Sequence, residues 1–64
     1  MSAYTYVWDI EIVQRRDLQV LERAVVTASS LAGAVRKGEQ LRRRNWRGVA
    51  AFVATVKCTA SINT

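Results

Sequence analysis

The 64-residue chain contains no histidine, a single cysteine and only five acidic side chains. Without histidine there is no His-dependent catalytic triad and no His-containing metal site. One cysteine, Cys58, can neither build a structural zinc site alone nor close an intrachain disulfide. A lone buried thiol fits a reducing cytoplasm. No run approaches the ~18 apolar residues of a membrane span. Met1-Ser2-Ala3-Tyr4 lacks the basic start and apolar stretch of a secretory signal. Asp9 and Glu11 stand two residues apart as paired carboxylates, but no second catalytic group accompanies them, and Cys58 has no base to activate it. These absences make an enzyme the least expected reading and imply no cofactor and no metal.

What is present describes a small folded domain, residues 1–64. Half of the residues are apolar, which favours a packed core over disorder. Chains this short bury only about 60% of their unfolded surface, so the core is marginal and a partner subunit would help it. Ten Lys and Arg against five Asp and Glu give a net charge of +5. That imbalance favours anionic partners: nucleic acid, acidic protein surfaces and, less readily, a membrane surface.

Tyr4, Tyr6, Trp8, Ile10 and Ile12 alternate with Thr5, Val7, Asp9 and Glu11, the period of a strand, with the even positions facing inward. Gln14-Arg15-Arg16-Asp17 reads as a tight hairpin turn. Residues 18–28 read as a second strand with Leu18, Val20, Ala24, Val26 and Ala28 inward and Glu22 as an exception. A short helix capped by Asp17 is the alternative, and it would leave the first strand unpaired. A three-residue turn sets Asp9 opposite Arg23 and Ile12 beside Val20. The stretch 29–46, SSLAGAVRKGEQLRRRNW, is the one convincing helix: Leu31, Ala34, Val35, Gly38 and Leu41 recur on one face. Ser29 is its expected N-cap, Gly33 and Gly38 imply close approach to the sheet, and Asn45 or Gly48 can end it. From Val49 onward the period of two returns, with Phe52, Ala54, Val56, Cys58, Ala60 and Ile62 expected on the helix side. The order β-β-α-β with a right-handed crossover gives an α+β fold: a three-stranded antiparallel sheet, order 2-1-3, with one helix packed on one face.

Two surfaces follow. Arg36, Lys37, Arg42, Arg43, Arg44 and Arg47 place six of the ten cations within twelve residues. Arginine pairs bidentately with phosphate and carboxylate, so this helix, with Gln40 on its polar side, is the candidate partner or nucleic-acid contact. Trp46 stands beside it, either stacking on a base or closing the core. The uncovered sheet face is expected to carry Val7, Val13, Leu21, Val25, Val49, Ala51 and Val53 with few charges. An apolar face of that kind usually meets something, here a homodimer or partner contact. Asp9 and Glu11 are expected to pair across strands with Arg23.

Arg47-Gly48-Val49-Ala50-Ala51-Phe52-Val53 superficially resembles the RNP1 signature of RNA-recognition motifs. The stacking aromatics are missing, the spacing is off by one, and the chain has no room for that fold's second helix. With its tyrosine-containing first strand, Ala3-Tyr4-Thr5-Tyr6, and a second strand running into Ala28-Ser29-Ser30-Leu31-Ala32-Gly33-Ala34, the layout resembles small phage-encoded anti-CRISPR proteins of the type I class. Several of those are acidic DNA mimics, which a chain at +5 is not. The resemblance implies a basic inhibitor of a crRNA-guided host effector complex, obstructing nucleic-acid binding, with Arg36, Lys37, Arg42, Arg43, Arg44 and Arg47 as contact candidates. The residues alone leave two alternatives: a small, dimeric DNA- or RNA-binding regulator, and a subunit whose sheet face is completed by another chain.

Overall fold

Aromatic and β-branched residues at alternate positions make β1 (Tyr4–Gln14) the central strand of the protein. The computed structural model describes residues 4–63, so the N-terminal start read above for a secretory signal lies outside the described residues. The hairpin partner of β1 is β2 (Val20–Ala28); α1 (Leu31–Asn45) follows, and β3 (Ala51–Asn63) returns along the other side of β1. Both pairings are antiparallel and the strand order is β2-β1-β3. This is the expected α+β arrangement, and residues 20–28 are strand, not helix.

The hairpin departs from the expected three-residue turn. Gln14 N–H donates to Gln19 O (2.8 Å), and Leu18 N–H donates to Gln14 O (2.8 Å). Leu18 adopts φ 60°, and the Asp17 carboxylate accepts from Gln19 N–H at 3.0 Å. The turn therefore adds one residue to the register, and a bulge at Leu21 adds a second, since Val13 faces Val20 while Ile12 faces Glu22. Two one-residue shifts restore the parity of the pleat, because side chains alternate with period two. Ala24, Val26 and Ala28 thus share the helix side with Ile10, Trp8 and Tyr6. Val20 does not, and Leu18 is exposed in the turn. Arg23 comes opposite Glu11, and Asp9 opposite Val25, in place of the expected Asp9–Arg23 pair.

On β3 the departures are larger. Glu11 faces Thr55 while Ile12 faces Val53, so Ala54 is an extra residue; Thr59 is another, between Cys58 opposite Trp8 and Ala60 opposite Val7. Each bulge reverses the alternation beyond it. Val56 and Cys58 keep the helix side as expected, but Cys58 is exposed and not buried. Val53 and Ala51 join them there, and Phe52, Ala60 and Ile62 pass to the open side with Val13, Val7 and Thr5.

The helix starts one residue later than expected. Ser30, not Ser29, is the N-cap, its hydroxyl accepting from Gly33 N–H at 3.1 Å. Ala34 and Gly38 are buried, but Leu31 and Val35, expected on the same face, are 55% and 38% exposed. Gly38 explains why the helix sits so low. A Cβ there would lie 3.1 Å from a Val53 methyl and 3.3 Å from Ile10 Cδ1, so the backbone itself rests on the sheet. At the other end Gly48, at φ 84°, makes the left-handed turn into β3. The core is thin: Ile10 and Ile12 are the largest fully buried side chains, joined by Val13, Ala28, Ala34 and Ala51. Trp8 closes one end, its indole N–H donating to Ala28 O at 3.0 Å and its ring meeting Tyr6 edge-on. No helix among the described residues is long and apolar enough to cross a membrane.

Candidate functional site

The cations of the helix separate according to helical phase. Arg36 and Arg43 are seven residues apart, two turns on one line, and both are exposed on the side away from the sheet. Lys37 and Arg44 fall on the flank above β2. The Lys37 ammonium donates to Thr27 O, and both residues line a depression with Glu22, Val26 and Leu41. Arg42 falls on the opposite flank and is engaged within the protein, its guanidinium Nε 2.9 Å from Glu39 Oε2. The i,i+3 spacing of Glu39 and Arg42 already carried that signal.

Four of the eight candidates converge. Gln40, Arg43, Arg44 and Arg47 line one shallow depression at the C-terminal end of the helix. None of the ion pairs among the described residues involves Arg43, Arg44 or Arg47. Here the last-turn carbonyls and the arginines lie together; the helix dipole favours the cations, and the cations leave a surface with positive potential. Three guanidinium forks around one hollow suit an anion with several oxygens, whether phosphate or carboxylate.

Trp46 does not extend that surface as a stacking platform. It is half-buried at the end of the helix, and its indole N–H donates to Glu22 Oε1 at 2.9 Å. The Asn45 amide also donates to the Glu22 carboxylate, at 3.1 and 3.4 Å. Glu22, read from the sequence as an exception to the inward pattern of β2, is therefore the group that ties the strand to the end of the helix. It holds the segment from Arg44 to Arg47 in place. Its single interruption of an apolar face was the signal, but a partner twenty-four residues away cannot be read from local pattern.

The residues expected to form an interface on the open sheet face do not all lie there. Val7 and Val25 do, and Val25 is 66% exposed. Leu21 sits in the bulge of β2 and Val49 in the connection before β3. Ala51 and Val53 are on the helix side, Val53 against Gly38. In place of a face with few charges, Asp9 and Glu11 stand on the middle strand between Arg23 and Lys57. Arg23 Nε meets Glu11 Oε2 at 2.8 Å. The hydrogen bond from Arg23, then one from Thr55, holds the Glu11 carboxyl below its ordinary range, against a smaller opposing effect of desolvation. The Arg15 guanidinium covers the Phe52 ring, 5.0 Å from its centre. Among the described residues no group of three or more His, Cys, Asp or Glu is placed to hold a metal ion. Comparison with protein-family models, with curated proteins and with solved structures finds no match.

Proposed function

We propose that the protein acts by binding and not by catalysis. The C-terminal end of its helix docks on an anionic surface of a host nucleic-acid-handling complex and obstructs nucleic-acid binding there. The observation that carries this reading is the convergence of Arg43, Arg44, Arg47 and Gln40 on one hollow, with no carboxylate drawn into it. Buried catalytic machinery has no place in a core this thin, whereas a rigid helix end is well suited to present guanidinium groups. The likeness in layout to type I anti-CRISPR proteins supports a crRNA-guided effector as the complex, a phage or mobile element as the source and the bacterial cytoplasm as the place of action.

The test is capture of a purified type I crRNA-guided complex by immobilised protein, with and without nuclease. Capture that survives nuclease and is lost in the charge reversals Arg43→Glu and Arg44→Glu is the expected result. Both sites lie in the last turn of the helix, where the dipole favours cations, so each reversal should cost about 1 kcal/mol, and circular dichroism should show the variant still folded. Full capture by the doubly reversed variant removes the arginine hollow from the function. Capture that disappears with nuclease favours direct binding to nucleic acid instead. Affinity for bare duplex would then fall with salt at a log–log slope of about −2.7 for three neutralised phosphates.

A further inference from the structure

The two outer edges of the sheet differ. On β3 the bulges at Ala54 and Thr59 break the edge. On β2 the register with β1 runs unbroken from Glu22 to Ala28. Thr59 Oγ1, on β3, donates to Val7 O, so the polar backbone groups of Val7 point toward β3. Thr27, opposite Val7, therefore turns its N–H and C=O away from β1, and the Lys37 ammonium meets Thr27 O on that outer side. By the period of two, Val25 and Arg23 turn theirs outward as well. β2 ends the sheet, so among the described residues these groups have no strand partner.

A depression of about 550 Å³ lies beside the same edge. Half-buried Ala24, Val26 and Leu41 form its floor, and exposed Lys37, Gln40 and Arg44 form its rim. Lys37, Gln40, Leu41 and Arg44 recur at helical spacing, so one flank of α1 faces the strand. The one carboxylate there, Glu22, is held by Trp46 and Asn45.

We propose that this groove between β2 and α1 takes an extended acidic peptide segment of a partner protein, added as a further strand along β2. Its backbone pairs with Arg23, Val25 and Thr27, and its carboxylates reach Lys37 and Arg44, the lysine exchanging Thr27 O for a carboxylate. Two features select this occupant. An edge that alternates donors and acceptors is matched by another peptide backbone, whereas a DNA backbone offers acceptors alone and leaves the outward carbonyls unpaired. Two cations against one engaged carboxylate favour negative charge, and a second copy of this chain, at +5, brings the opposite. Gln40 and Arg44 line both this groove and the arginine hollow. They stay unchanged in the test, so this inference stands or falls independently of the proposed function.

The probe is a labelled, end-capped peptide of about eight residues alternating valine and glutamate, which puts the glutamates on one face. Fluorescence anisotropy with the full chain should show saturable binding, and the counterpart with lysine in place of glutamate should bind at least about tenfold more weakly. The bound peptide should slow hydrogen exchange at the Val25 and Thr27 amides. N-methylation of one alternate set of peptide amides should abolish binding, and of the other set should not. Lys37→Gln should weaken binding about fivefold. Absence of binding at about 1 mM peptide overturns the proposal, as does equal binding of the lysine counterpart or indifference to both sets of N-methylation. Tighter binding by Lys37→Gln overturns it too, since Lys37 would then be a guard that closes the edge. An oligothymidylate of equal charge that binds as tightly and protects the same amides would assign the groove to nucleic acid instead.

Discussion

The two sides of this sheet handle charge in opposite ways. On the open side, Asp9 and Glu11 lie between Arg23 and Lys57, two acids against two bases in register. On the helix side, six cations, Arg36, Lys37, Arg42, Arg43, Arg44 and Arg47, meet only Glu22 and Glu39. Nearly all of the net charge of +5 is therefore carried by one layer. The helix side also holds most of what is buried: Ile10, Ile12, Ala28, Ala34 and Ala51. The comparison teaches that the core and the unbalanced positive charge reside on the same side of the molecule, while the open side is a solvated face on which acids and bases balance.

That asymmetry can be broken first where it is strongest. Ile10 is 1% exposed and touches the seat of Gly38. Ile10→Ala should destabilise the protein by about 2–5 kcal/mol, as cavity-forming core substitutions do. With so thin a core, this is expected to approach the whole folding free energy. Urea unfolding followed by circular dichroism reads it, and a cost under about 1 kcal/mol would mean that the helix is not held by this contact. A smaller effect belongs to Glu22→Ala, which strips the Trp46 indole and the Asn45 amide of their acceptor. A cost of about 1–2 kcal/mol is expected, together with weaker capture of the partner complex, because the segment bearing Arg44 and Arg47 loses its tether. Glu22→Gln, which keeps a carbonyl acceptor, should recover part of both. Loss of stability with partner capture intact would show that the tether serves the fold alone.

Element types, strand order and the seat of the helix were legible from the sequence because each rests on a repeated local pattern. The period of two runs through Tyr4 to Ile12, and Gly38 falls on the apolar line of the helix. The facing of β3 was not legible. An uninterrupted alternation from Val49 to Ile62 gives no warning of bulges, yet Ala54 and Thr59 each reverse it, and Val53 and Phe52 exchange sides. A bulge is chosen by the fit of the whole strand to its neighbour, which no single strand displays. The same holds for β2, where the turn and the Leu21 bulge each shift register by one and together cancel in facing. Facing survived there from Glu22 onward, though not at Val20, while the charge partners changed. Of the candidate site, the convergence of Arg43, Arg44 and Arg47 followed from proximity in sequence. The diversion of Arg42 to Glu39 and of Trp46 to Glu22 depended on competition among side chains, which a charge count does not register.

The smallest expected effect sharpens the comparison from the open side. The hydrogen bond from Arg23, aided by that from Thr55, lowers the Glu11 pKa in the folded state. A depressed acid stabilises the fold fully above its unfolded value, about 4.3. That contribution fades as pH falls through the lower folded value, where the carboxylate takes up its proton. Glu11→Gln should therefore lower stability slightly at neutral pH and converge with the parent in acid, its urea midpoint losing part of the fall seen between about pH 6 and pH 3. Because the pair is open to solvent, added salt should shrink the difference. An acid slope identical in the two proteins would show that the charge ladder does not stabilise the sheet. The open face would then hold its ions for solubility alone, and the division between the two sides would be complete.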